Sequence, residues 1–279
     1  MPIRQLVTAI LAATLVCGQV AAQQPKDRFV DLELILAVDV SRSMTSRRLM
    51  LQRQGYVAAF RDRRVSQAIE SGPQGRIAVT YVEWSGADHQ HVVLPWRIIS
   101  SHDDAVVFAR DLEGRTTTRT RRTSISAMLR KASEMFRKSQ YEGLRRVIDV
   151  SGDGPNNSGA SVEPARDRLL RDGVVINGLP IMSDPADLPG YYDLADLDLY
   201  YRDCVIGGPG SFYIPVTGMQ NFAKAIRMKL ILEIAALTPP HEQKLLHQAN
   251  YVPSANSREK ANCLAGRHAV HPMNSPAKK

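Results

Sequence analysis

The alternation of buried-strand and amphipathic-helix patterns constrains this chain more than any other feature. Val30 to Val40 is an apolar run interrupted only by Asp31, Glu33 and Asp39. It is too continuous for a strand with one wet face and suits one covered on both. Leu49, Met50, Tyr56, Val57 and Phe60 then recur at helical spacing. Arg76 to Trp84 returns to strand composition, and Val92 to Ile99 carries Pro95 and so belongs on a sheet edge. Asp103 to Leu112 reads as a helix, and Ile125, Met128, Leu129, Ala132, Met135 and Phe136 make the cleanest helical stripe. Strands are expected again at Arg146 to Val150, Val174 to Ile181 and Phe212 to Val216, with helices at Val162 to Leu170 and Phe222 to Leu237. Such alternation requires crossover connections and a mainly parallel sheet with helices on both faces. The expected fold is therefore a single doubly wound α/β domain over residues 30–237. Ligands of such sheets bind beyond the carboxyl ends of the strands, so chemistry is to be sought where strands end.

The segments outside that rhythm read differently. Arg4, the uncharged apolar run Leu6 to Val16 and the small-residue ending Val20-Ala21-Ala22 have the make-up of a signal peptide, residues 1–22, cut after Ala22. The run is too short for a membrane-spanning helix, which needs about 20 apolar residues. Thr14-Leu15-Val16 lacks the small residue that precedes a lipidated cysteine, so Cys17 leaves with the leader. The protein is thus expected in the periplasm or outside the cell, with no transmembrane segment. The two remaining cysteines, Cys204 and Cys263, are expected to pair in an oxidising compartment, the alternative being two buried thiols. Ser183 to Asp203 holds six Asp and reads as a solvated acidic loop, since its spacing does not fit an EF-hand. Residues 238–279 carry Pro239-Pro240 near their start and hold four of the seven His, at 241, 247, 268 and 271. They lack a paired metal-ligand spacing, and the segment reads as a basic, partly disordered tail.

Charged residues at 23% and hydrophobic ones at 44% exclude wholesale disorder and a polytopic membrane protein. The net charge of +8 permits an anionic partner without naming one. Export and an aromatic content of 6% argue against nucleic acid.

One constellation carries chemistry. Asp39, Ser41 and Ser43 form an Asp-x-Ser-x-Ser loop where the first strand ends, and alternate residues of an extended turn can converge on one cation. Thr123 precedes the strongest helix, and Asp153-Gly154 follows the strand Arg146 to Val150. In order and context these residues resemble the metal-ion-dependent adhesion site of the von Willebrand factor A (VWA) domain, a Rossmann-like fold, over residues 30–237. The leader and the Asp-Gly-Pro-Asn-Asn turn at 153–157 look most like an uncharacterised bacterial branch of secreted VWA-like proteins. The resemblance implies that Ser41, Ser43 and Thr123 ligate a divalent cation directly and that Asp39 and Asp153 act largely through waters. Mg²⁺ is the expected ion, with Mn²⁺ or Ca²⁺ able to substitute.

Three neutral hydroxyls and two carboxylates leave such an ion under-neutralised, so its open position attracts a carboxylate from outside. The expected partner is a protein presenting an Asp or Glu. Arg42, Arg47 and Arg48 flank the first loop and Arg115, Arg119, Arg121 and Arg122 the approach to Thr123. Of these, Arg42, Arg119, Arg121 and Arg122 are the candidates for steering an acidic ligand. An enzyme is the first alternative. An aspartyl-phosphate mechanism would want a carboxylate where Ser41 stands, and no Gly-x-Ser-x-Gly elbow exists, so a metal-dependent hydrolase or phosphatase is the weaker reading. A metal-independent binder of an anionic polymer or surface is the second.

Overall fold

The computed structural model describes residues 28–182, 196–218, 221–235 and 261–267. The leader, residues 183–195 of the acidic segment and most of the tail, with its four histidines, lie outside the described residues. Five strands form one sheet in the order β3-β2-β1-β4-β5. They are β1 Phe29–Asp39, β2 Ile77–Trp84, β3 Gln90–Ile99, β4 Glu142–Gly152 and β5 Val174–Pro180. All neighbours are parallel except β3, which pairs antiparallel with β2 at the edge, where the missing N–H of Pro95 is tolerated.

The continuous apolar composition of β1 follows from its central place. Leu32, Leu34, Leu36 and Val38 belong to one core cluster and Ile35 and Ala37 to the other, so successive side chains enter opposite layers. The first layer is closed by α1 Ser46–Phe60, α2 Arg63–Glu70, α3 His102–Glu113 and α7 Phe222–Ala235. The second is closed by α4 Ile125–Arg137, α5 Val162–Arg171 and the short α6 Leu197–Tyr200, which runs on into a π-helical turn at Tyr201–Val205. Of the acids that interrupt β1, Asp31 accepts the N–H groups of Gln74 and Arg76 and Glu33 accepts that of Gly143. Both tie down neighbouring chain, and Asp39 is left at the strand's carboxyl end.

Several expectations need correction. Residues 196–205 are not solvated acidic loop: Leu197, Tyr200, Tyr201 and Cys204 are fully or almost fully buried. Their spacing is a helical stripe, which the intervening Asp residues obscure. Phe212 to Val216 forms no ladder strand and lies beside β5 and the residue after it through the isolated bridges Gly178–Tyr213 and Ile181–Val216. Met50 points outward from α1, and α2 is a helix that the apolar periodicity did not announce. Cys204 and Cys263 are bridged, with 5.5 Å between their Cα atoms. Among the described residues no helix is long and apolar enough to cross a membrane.

Candidate metal centre

The sheet reverses its order at β1, with β2 on one side and β4 on the other, and the candidate site lies at the carboxyl ends of β1 and β4. Asp39 is the last residue of β1. Its Oδ1 accepts the Ser41 N–H at 2.7 Å, which turns the chain and points the next hydroxyls back toward the strand end. The Ser41 and Ser43 Oγ atoms are 2.9 Å apart, and the Ser43 hydroxyl donates to Asp153 Oδ1 at 2.6 Å. A hydrogen-bonded chain thus links the first loop to the turn after β4. None of these groups caps α1, because Thr45 does so through the Arg48 N–H.

Thr123 arrives from a third loop. Thr120 forms a parallel bridge with Ser41 and donates its N–H to the Val40 carbonyl, while the Ser124 N–H reaches the Ser85 carbonyl at 2.7 Å. Asn157 fixes Thr123 from both sides: its Oδ1 accepts the Thr123 N–H and its own N–H donates to the Thr123 carbonyl, each at 2.8 Å. Asn156 Oδ1 accepts the Ser126 N–H in the first turn of α4, so Thr123 is spared that duty as well. The Thr123 hydroxyl faces the Asp153-Gly154 turn, 3.9 Å from where a Cβ on Gly154 would stand. All five candidate ligands are therefore brought to one edge. Asn156 and Asn157, which the sequence showed only as part of a turn, set their geometry; two consecutive Asn after Asp-Gly-Pro were the available signal.

Asp39, Ser41, Thr123 and Asp153 are buried, and Ser43 is exposed at the mouth. Burial pushes the Asp39 carboxyl well above the usual Asp range, and the charge of Asp153 raises it further. Among the described residues, the enclosed Asp39 Oδ2 has no hydrogen-bond partner. A Cβ on Gly152 would stand only 2.9 Å from that oxygen, so the carboxylate can lie this close only because residue 152 is glycine. A divalent cation fits these observations: an all-oxygen donor set, two buried carboxylates that repel one another, and an acceptor without a donor. Among the described residues no three His, Cys, Asp or Glu side chains gather as a metal site, so a cation held here would depend on the hydroxyls.

The arginines divide into two groups. Arg48 turns inward and lies 3.6 Å from Asp153 Oδ2, neutralising part of its charge rather than facing a ligand. Arg42, Arg47, Arg119, Arg121 and Arg122 are exposed. Arg119 spans the first loop, donating to the Arg42 carbonyl at 2.8 Å and to Ser46 Oγ at 3.4 Å. Arg122 has φ 71°, the left-handed region, and among the described residues no other non-glycine does.

Comparison with known proteins supports the fold. No curated protein matches the chain in sequence. Among solved structures it is similar to the pilus adhesin SpaC of Lactobacillus rhamnosus GG, with TM-score 0.54 and 11% identity over 74% of this chain and 30% of the adhesin. It is similar to proximal thread matrix protein 1 of the mussel byssus, with TM-score 0.50 and 16% identity over 73% of this chain and 46% of that one. The VWA domain of SpRpn10 gives TM-score 0.51 and 12% identity over 73% of this chain and 97% of the domain. The chain thus spans about half the mussel protein and under a third of the adhesin. The fold is that of a VWA domain, and with residues 29–238 matching the family described as "Protein of unknown function (DUF1194)", the chain belongs to the DUF1194 family.

Proposed function

We propose that this protein is an exported VWA-type binding module that holds a divalent cation at the β1–β4 edge and uses it to capture an acidic group on a protein partner. Ser41, Ser43 and Thr123 supply neutral hydroxyl oxygens to the cation, and Asp39 and Asp153 supply charge largely through waters. Mg²⁺ is the default ion, with Mn²⁺ or Ca²⁺ as substitutes. The bound cation supplies one open, positively charged position for a carboxylate of the partner. Arg42, Arg119, Arg121 and Arg122 guide that approach and pair with further acidic side chains around it. The chemistry is binding rather than turnover. The disulfide fits an oxidising compartment, in keeping with a leader cut after Ala22 and a periplasmic or secreted protein.

The observation that carries this reading is the buried, partnerless Asp39 Oδ2 beside the Ser41–Ser43–Asp153 hydrogen-bond chain. The test is a thermal melt with Mg²⁺ and with EDTA, followed by a pull-down from periplasmic extract in Mg²⁺ eluted with EDTA. Asp39→Ala is expected to abolish the Mg²⁺-induced rise in Tm while leaving Tm in EDTA unchanged or higher, because a charge that is costly to bury is removed. A full Mg²⁺ shift in Asp39→Ala would refute the assigned ligands. The exposed arginines favour one rival, a metal-independent binder of anionic polymer. Binding that disappears with salt but ignores EDTA would establish that rival instead. Metal-dependent phosphatase or esterase turnover, lost in Asp39→Ala, would establish an enzyme.

A further inference from the structure

Tyr201 is fully buried, yet among the described residues its hydroxyl has no hydrogen-bond partner. A buried phenol left unpaired costs about 1–3 kcal/mol, and phenylalanine would fill the same volume without that cost. The hydroxyl's position suggests what it is for. The point where a Cβ on Gly152 would stand is 2.9 Å from Tyr201 Oη and 2.9 Å from Asp39 Oδ2, the other unpaired polar atom at this edge. A donor and an acceptor, both enclosed, thus pack together against the backbone of Gly152, in an approach that a side chain at residue 152 would prevent. The fields of Asp39 and Asp153 reach the phenol and, after burial, are the strongest influences holding it in its protonated, donating form.

The segment that carries Tyr201 is anchored to the same turn by its neighbours. The preceding Tyr200 accepts the Asn156 N–H at its hydroxyl, at 3.2 Å. Cys204, in the same π turn, is bridged to Cys263, and the Ala261 N–H donates to Asp203 Oδ2 at 2.7 Å. The strap so tethered packs Gly266 against the Asn156 backbone so closely that a Cβ there would collide with the Asn156 carbonyl. Residues 200–204 and the strap therefore grip the turn from Asp153 to Asn157, and Tyr201 projects from that grip toward Asp39.

We propose that Tyr201 is a positioning residue of the cation site, its hydroxyl orienting the Asp39 carboxylate beside Gly152. This rests on the cation reading above. With the tyrosine in place, Asp39 presents a fixed lone pair toward the hydroxyl cluster; without it, the carboxylate loses a partner and its orientation. Outer residues of this kind typically contribute 10–100-fold to metal affinity.

The test uses the full chain as wild type, Tyr201→Phe and Asp39→Ala. Mn²⁺ affinity is measured by titration calorimetry and by the electron paramagnetic resonance of bound Mn²⁺, and Tm is measured in EDTA. Tyr201→Phe is expected to bind Mn²⁺ about 10-fold more weakly with an altered resonance spectrum, while its Tm in EDTA equals or exceeds that of wild type. Wild-type affinity and spectrum in Tyr201→Phe, together with lost binding in Asp39→Ala, overturn the role of Tyr201 and leave the cation site standing. Weaker binding matched by a lower Tm in EDTA makes the tyrosine merely structural and also overturns it. Absence of Mn²⁺ binding in wild type overturns the cation reading and this inference with it.

Discussion

Strand β4 and the turn that follows it carry two buried aspartates four residues apart, and the fold treats them in opposite ways. Asp149 lies under α7, where Lys229 Nζ is 2.8 Å from its Oδ1 and is also ion-paired to Glu233. Asn177 Nδ2 donates to Glu233 Oε1 at 3.0 Å, and the Phe212 ring lies 5.1 Å from the Lys229 nitrogen. Two carboxylates are thus held by a cation that the protein itself supplies, and Lys229 is 1% exposed. At the strand's end Asp153 and Asp39 are also a buried carboxylate pair; there Arg48 lies 3.6 Å from Asp153, and the Ser43 hydroxyl donates to the same carboxylate. The inner cluster is held by its own buried lysine, whereas among the described residues no ion pair is made by Asp39 and the outer cluster opens at Ser43.

The strongest attempt to break this contrast is Lys229→Met. It removes the cation from the inner cluster and leaves two buried carboxylates facing each other, at an expected cost of about 3–5 kcal/mol in urea denaturation. The Mg²⁺-induced rise in Tm should survive in this variant. A cost under ~1 kcal/mol would mean that the inner cluster is not held by its lysine.

The pH dependence is the next largest effect and separates the clusters. Burial, and then the charge of Glu233, push Asp149 up to about 7 against the opposing pull of Lys229, and Asp39 is raised by burial and by Asp153. A carboxyl raised in the folded state favours folding while protonated. Its contribution is complete below the unfolded value of about 4 and is lost as pH rises through the folded value. In EDTA, stability should therefore fall between about pH 4 and pH 7 and beyond. Asp149→Asn should flatten that fall without changing the Mg²⁺ shift. Mg²⁺ added to wild type should restore stability on the alkaline side only, since it favours the ionised Asp39. Parallel pH curves with and without Mg²⁺ would make the two clusters equivalent and end the comparison.

The smallest effect concerns the rim. Arg122 adopts φ 71°, where a side chain costs about 1–2 kcal/mol and glycine little. Arg122→Gly should raise stability by up to about 1 kcal/mol, leave the Mg²⁺ shift unchanged and slow capture of an acidic partner. Slower capture alongside greater stability would identify the strained conformation as serving the ligand.

How much of this was legible beforehand depended on how local each signal is. The central strand, the α4 stripe and the edge place of β3 follow from side-chain periodicity and from Pro95, which act within a few residues. The Asp-x-Ser-x-Ser loop was legible because its residues are adjacent and its geometry is that of a turn. Arg48 was read with its exposed neighbours, but helical geometry turns it inward to Asp153. The burial of Leu197, Tyr200, Tyr201 and Cys204 was hidden among aspartates whose own side chains point elsewhere.

By itself the sequence determined the layers, the strand ends and the five oxygen-bearing residues, because those depend on patterns of neighbouring side chains. Only the tertiary structure decided which buried charges are completed and which are left open. Lys229 meets Asp149 from a helix near the far end of the domain, and Tyr201 and Asp39 pack together against Gly152. Such meetings depend on where whole elements come to rest against the sheet, and no local pattern records the pairing of residues so far apart along the chain.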